Sequence, residues 1–199
     1  MARDDILSAA MRTINLEQSV ADRIRISKRI LVLGPSGSGK TFLSQRLAAL
    51  LGLELIHLDA QFWKLGWVST PQDQWRDAVA SLVRRPAWII DGMYESTLDL
   101  RLPAADAVIV IERPRLACLW SVYTRTLKYR GGRERLGAPP FQKLDRAFAK
   151  YIWRYPSVTR PIMLKRLREH APDKLVLFCR GRKDVQRFLA LVNRDLPNS

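Results

Sequence analysis

The chain has 199 residues, a length that favours one domain, and it combines 47% hydrophobic with 27% charged residues. Wholly disordered, collagen-like and disulfide-scaffold chains are thereby excluded, and its two cysteines, Cys118 and Cys179, each inside an apolar run, read as buried small hydrophobes. The net charge of +15 is unevenly placed: residues 113–170 hold 15 basic side chains against 3 acidic, whereas residues 1–112 hold 13 of each, so an anion-facing region is expected in the second half.

The N-terminal stretch has helical apolar spacing at Ile6, Leu7, Ala10, Met11 and Ile14, followed by a polar, charged connection. Residues 1–28 are therefore expected to form a helical extension ahead of a single domain over 29–199. Asp4, Asp5 and Arg12 stand where a signal peptide would be apolar, and no run approaches the roughly 20 apolar residues of a spanning helix. A soluble, cytoplasmic protein without membrane attachment is expected.

Five short, nearly continuous apolar runs then read as strands buried on both faces: 29–34 (RILVLG), 54–58 (ELIHL), 88–91 (WIID), 107–112 (AVIVIE) and 174–179 (KLVLFC). Helical patterns separate them. Thr70 is read as an N-cap before Pro71, with Trp75, Ala78, Val79, Leu82 and Val83 on one face, and the helix should stop before Pro86. Pro114 opens a helix with Leu116, Leu119, Trp120, Tyr123 and Leu127 on one stripe. Others are expected over 141–152, from Pro161 through Leu167, and over about 184–193, with Gly131-Gly132 and Ala138-Pro139-Pro140 as loop markers. Strands alternating with helices indicate a parallel sheet covered by helices.

Between the first strand and an amphipathic segment carrying Leu43, Leu47, Leu50 and Leu51 lies Gly34-Pro35-Ser36-Gly37-Ser38-Gly39-Lys40-Thr41, a complete GxxxxGK[ST] phosphate loop. Its glycines let backbone N–H groups curl round a β-phosphate, and the helix N-terminus adds positive potential. Lys40 brings a point charge to the β- and γ-oxygens, and Thr41 offers a hydroxyl to Mg²⁺. ATP and Mg²⁺ are the cofactors this implies. The metal shell also needs an acid at a strand end, and Asp91 fills that place, with Asp59 as rival at the end of the second strand, where it could orient an acceptor hydroxyl.

These segments, with LIHLD followed by Trp63 and Trp67, WIIDGMY, the run at 105–109, ERPR at 112–115 and IWRYP at 152–156, resemble adenylate-kinase-related P-loop proteins of bacteria, and within that group the DNA topology modulation proteins. The resemblance covers about residues 29–194. It implies a three-layer α/β fold with a five-stranded parallel sheet of order 2-3-1-4-5, an acceptor region after the second strand, and a lid at about 125–140. Arg125 and Arg130 would act there in catalysis and Arg133 in nucleotide binding, with Arg135 in the same stretch. Arg180 and Arg182 fall where adenylate kinases wrap the adenine. The chain departs from that family after the third strand, where Asp91-Gly92-Met93-Tyr94 replaces DGFPR and the following arginine is missing.

Around the acceptor region, Asp59, Trp63, Tyr94 and Arg101 are the substrate-contact candidates, Trp75 is read as core, and His57 as a satisfied core histidine. The expected activity is transfer of the γ-phosphoryl group of Mg-ATP to a small acceptor such as a nucleotide or nucleoside. The competing expectation is a nucleotide-gated protein binding nucleic acid through the basic 113–170 segment, where Tyr151, Trp153 and Tyr155 alternate with Lys and Arg.

Overall fold

The structure, a computed structural model, describes residues 18–64, 68–128 and 145–194. A parallel five-stranded sheet forms the centre, from β1 (Arg29–Leu33), β2 (Leu55–His57), β5 (Trp88–Asp91), β6 (Ala107–Glu112) and β7 (Leu175–Arg180). Its order is β2-β5-β1-β6-β7, the 2-3-1-4-5 order expected once the short hairpin strands β3 (Trp63–Lys64) and β4 (Val68–Ser69) are set aside. The registers run Val32 beside Asp91 and Ile109, and His57 beside Asp91.

Strand periodicity divides the core into two layers. Leu31, Leu33, Ile90, Val108 and Val110 face α4 (Gln72–Val83), α5 (Leu98–Ala104) and α8 (Thr159–His170), meeting Trp75, Val79, Leu102 and Met163. Ile30, Val32, Ile89, Ile109 and Ile111 face α1 (Gln18–Ile26), α2 (Lys40–Leu51) and α9 (Arg182–Asn193), meeting Leu43, Leu47 and Phe188. Trp75 is fully buried, as its place on the apolar stripe requires, and truncating it to alanine should cost about 3–5 kcal/mol. A third, small cluster joins α6 (Arg115–Lys128) to α7 (Arg146–Arg154) through Cys118, Val122, Phe148 and Ile152.

Several element boundaries differ from the sequence expectation. The helix expected at 6–14 lies outside the described residues. The stretch read as a polar connection instead forms α1, because Val20, Ala21 and Ile24 are buried against the sheet layer while the intervening charges point outward. Thr70 does not cap α4: its hydroxyl and its N–H both donate to the Phe62 carbonyl, at 2.8 and 3.0 Å, and the cap passes to Pro71. α7 begins at Arg146, where the Asp145 carboxylate accepts from the Phe148 N–H at 2.7 Å. Pro161 sits inside the first turn of α8, where its missing N–H has no intrahelical partner to lose. The short helices α3 (Leu58–Phe62), α5 and a 3-10 turn at Glu95–Thr97 had no sequence expectation. No helix among the described residues is long and apolar enough to cross a membrane.

Candidate active site

The parallel strands deliver their carboxyl ends to one edge, and the phosphate loop leaves that edge from β1. At Gly34 (φ +139°) a Cβ would lie 2.4 Å from the Ile111 carbonyl oxygen, and at Gly37 (φ +81°) 2.4 Å from that of Cys118. Both obstacles are backbone, so only glycine lets the loop lie against the end of β6 and the start of α6. The Lys40 ammonium folds back to donate to the Pro35 carbonyl at 3.0 Å, which places it across the loop. Ser38 Oγ is buried without a hydrogen-bond partner among the described residues, a free donor inside a cradle of glycines. An arriving phosphate oxygen would satisfy it.

Beside the loop, the Thr41 hydroxyl donates to Asp91 Oδ2 at 3.1 Å, and Asp91 is 5% exposed. Hydroxyl and carboxylate oxygens are the donors a hard cation takes. Among the described residues no group of three or more His, Cys, Asp or Glu could hold a metal alone. The pair therefore fits Mg²⁺ completed by nucleotide phosphates rather than a protein cage. His57 adds what the sequence reading missed: its Nδ1 lies 3.2 Å from the same Asp91 oxygen. The signal was the pairing of β2 with β5, which only the sheet order reveals.

Asp59 sits in the first turn of α3, exposed, and Oδ1 accepts from the Tyr94 hydroxyl at 2.7 Å. Burial first, and then the Asp59 charge, push the Tyr94 hydroxyl far above its ordinary range, so it remains a donor across the neutral range. The Tyr94 ring is locked among Phe62, with centroids 4.9 Å apart, and Trp75, at 5.1 Å, while Trp63 packs edge-on to Phe62 at 5.0 Å. Tyr94 also carries the one positive φ of a non-glycine residue among the described backbone, +31°.

Arg101 corrects the sequence expectation of a substrate contact. Its side chain is fully buried and donates to Thr97 Oγ1 and to the carbonyls of Gly92, Met93 and Tyr94, at 2.6 to 3.1 Å. It clamps the loop that follows β5, fixing Tyr94 from behind, and desolvation pulls its pKa down to about 9. Arg113, unassigned in the sequence reading, donates to the Gly37 carbonyl at 3.1 Å and to Ser121 Oγ at 2.7 Å, tying the phosphate loop to α6.

Of the expected lid arginines, Arg125 lies exposed in the last turn of α6, whereas Arg130, Arg133 and Arg135 lie outside the described residues, as does Trp67. Arg180 ends β7 at the same edge as the phosphate loop, and Arg182 opens α9; both are exposed. Cys118 and Cys179 are buried free thiols, as read from their apolar runs, and desolvation pushes Cys179 up to about 12.

No family model matches the chain. Curated relatives match over a minor part of it: the ATP-dependent protease ATPase subunit HslU of Oceanobacillus iheyensis is 37% identical over 75 residues, and that of Agrobacterium fabrum 39% over 64. Those stretches are 37% and 32% of this chain, and the matches span only 16% and 14% of the relatives' length. Solved structures agree over most of the chain. Shikimate kinase from Acinetobacter baumannii in complex with shikimate superposes with a TM-score of 0.55, covering 89% of this chain and 99% of that one at 16% identity. Shikimate kinase from Bacteroides thetaiotaomicron gives 0.50, covering 84% and 97% at 13% identity. The fold is that of P-loop kinases.

Proposed function

We propose that the protein is an ATP-dependent phosphotransferase that moves the γ-phosphoryl group of Mg-ATP onto a hydroxyl of a small molecule. The observation that carries this reading is the placement of two carboxylates with separate partners at one sheet edge: Asp91 bound to Thr41 beside the phosphate loop, and Asp59 bound to Tyr94. The likeness to shikimate kinase structures supports it at the level of fold, and the finer adenylate-kinase-like assignment rests on the sequence resemblance.

In this reading the loop N–H groups and Lys40 hold the β- and γ-phosphates, and Thr41 and Asp91 hold the metal shell. Bound Mg²⁺ would supply neutralisation of charge on the phosphate oxygens. Tyr94 occupies Asp59 Oδ1, which leaves Oδ2 to accept the proton of the acceptor hydroxyl. The acceptor oxygen forms a bond to the γ-phosphorus, the bond from that phosphorus to the β–γ bridging oxygen breaks, and ADP departs with the electron pair. Arg125 and Arg130 are proposed to stabilise the charge on the transferred group, Arg133 to bind the nucleotide, and Arg180 and Arg182 to border its base.

The test is ADP release from Mg-ATP across a panel of hydroxyl compounds, nucleosides, nucleoside monophosphates and DNA, with Lys40→Ala as control. Acceptor-dependent release, lost in a folded Lys40→Ala protein, supports the reading. Release dependent on DNA alone would replace it with the nucleic-acid-dependent ATPase, and tight ATP binding without release under any condition would leave a nucleotide-binding protein.

A further inference from the structure

The glycines that let the phosphate loop lie against its neighbours also leave its peptide planes easy to turn, and one of those planes is held from outside the loop. At Gly37 a Cβ would fall 2.4 Å from the Cys118 carbonyl oxygen and 3.0 Å from Val122 Cγ2, so this residue sits directly on the first two turns of α6. Only glycine fits there, and glycine puts little steric resistance on rotation of the Gly37–Ser38 peptide.

The direction of that plane matters to an anion. In a trans peptide the C=O and the following N–H point to opposite sides. The Gly37 carbonyl faces α6 and accepts from Arg113 Nη1 at 3.1 Å, while the Ser38 N–H faces the loop and donates to the Pro35 carbonyl at 3.2 Å. The Lys40 ammonium reaches that same Pro35 carbonyl at 3.0 Å. Turned over, the plane would aim a carbonyl oxygen at the place of the phosphate oxygens and take the Ser38 N–H away from it.

Arg113 is itself held in place. Its Nη1 also donates to Ser121 Oγ at 2.7 Å, so one nitrogen joins an acceptor on the phosphate loop to an acceptor on α6, and both side chains are half-buried. A guanidinium suits this task, because its donors leave a rigid plane in fixed directions and its charge strengthens each bond.

We infer that Arg113 is a positioning residue for the nucleotide phosphates. It holds the Gly37–Ser38 peptide with its N–H toward the loop, and Ser121 fixes the guanidinium that does so. This rests on the nucleotide-binding part of the reading above and on binding alone, so it is tested whether or not phosphoryl transfer follows.

The experiment measures the affinity of the full chain for Mg-ADP and for Mg-pyrophosphate by calorimetry, in wild type, Arg113→Ala, Arg113→Lys, Ser121→Ala and the double alanine variant. Urea unfolding of each reports that the titrated protein is folded. Arg113→Ala should weaken both ligands by about tenfold and to the same extent, since the effect lies at the phosphates. Arg113→Lys should recover part of the loss, because an ammonium can reach one acceptor without the planar fork. Ser121→Ala should cost about threefold, and the double variant should bind no more weakly than Arg113→Ala, since Ser121 acts through the guanidinium. If Arg113→Ala does not fold, Arg113→Lys and Ser121→Ala make the same comparison.

Unchanged affinity in a folded Arg113→Ala protein, with only its stability reduced, overturns the inference. So does a loss for Mg-ADP that pyrophosphate does not share, which would place Arg113 at the nucleoside. Additive losses from Arg113 and Ser121 overturn the relay between them. Wild-type protein that binds both ligands but forms no ADP with any acceptor overturns the phosphotransferase and leaves these comparisons in force, whereas wild type that binds neither ligand overturns both.

Discussion

The Tyr94 hydroxyl and Asp59 Oδ1 lie 2.7 Å apart, a hydrogen bond that joins the loop after β5 to the helix after β2. It occupies one carboxylate oxygen and orients the other. Removing it by Tyr94→Phe keeps the ring packed among Phe62 and Trp75 and frees Asp59 to rotate. We expect kcat to fall about 10- to 100-fold, and Asp59→Asn to cost at least as much. Mg-ADP affinity should move by no more than about twofold, because neither group touches the phosphate loop. A parallel loss of nucleotide affinity would assign the pair to the nucleotide site instead.

The Asp91 carboxylate takes Thr41 and His57 on the same oxygen, Oδ2, so Oδ1 is the oxygen these two partners leave to the metal shell in this reading. Asp91→Asn should therefore weaken ADP binding in the presence of Mg²⁺ about 10- to 100-fold while leaving metal-free binding in EDTA nearly unchanged. His57→Ala should give a smaller loss in the same direction, since His57 only holds the acid. Calorimetric titrations of ADP with Mg²⁺ and with EDTA measure the difference directly. Equal losses under both conditions would remove Asp91 from the metal shell.

Much of this arrangement is legible in the sequence where the physics is local. Strands buried on both faces must be continuously apolar, so β1, β5 and β6 stand out, and the phosphate loop must alternate glycines with a Lys-Thr pair at one spacing. Asp91 follows from being the acid at a strand end. What stays hidden is set by distant pairing. The expected strand order sets β2 beside β5 but not His57 level with Asp91, and Arg101 reads as an acceptor contact although the fold closes over it. α5 escapes notice because Asp99, Arg101 and Pro103 interrupt its apolar pattern, yet Arg101 points inward and Asp99 pairs with Arg76. α1 escapes for a related reason: its buried apolar residues, Val20, Ala21 and Ile24, stand amid charges.

Arg101 holds three consecutive carbonyls in place, and Tyr94 keeps a backbone conformation, φ +31°, that a side chain rarely adopts unaided. Arg101→Ala leaves the Gly92 and Met93 carbonyls without their side-chain donor inside the protein, while Tyr94 keeps only the Thr97 N–H and hydroxyl, so we expect a stability loss of about 3–5 kcal/mol in urea unfolding. Arg101→Lys cannot reproduce a planar fork across several acceptors and should recover less than half. In conditions where the alanine variant remains folded, turnover should fall through Asp59, as expected for Tyr94→Phe. Near-normal stability in Arg101→Ala would show that the loop holds itself.

Cys179, on β7, gives a pH dependence whose sign can be worked out. Desolvation raises its folded pKa to about 12, whereas an unfolded thiol titrates near 8.5. Between those values the folded state binds the proton that the unfolded state has released, so stability falls as pH rises, by up to about 1.4 kcal/mol per unit. Below about pH 8 both states are protonated and the group contributes nothing to the slope. Desolvation shifts Arg101 downward, a contribution of opposite sign. Comparing the wild type with Cys179→Ala cancels that contribution and those of the tyrosines. We expect the variant to be less stable at pH 7, from the lost packing, and the gap to narrow steadily between pH 8.5 and 10.5 in urea unfolding. A gap independent of pH across that window would mean that the thiol ionises in the folded protein as readily as in the unfolded chain.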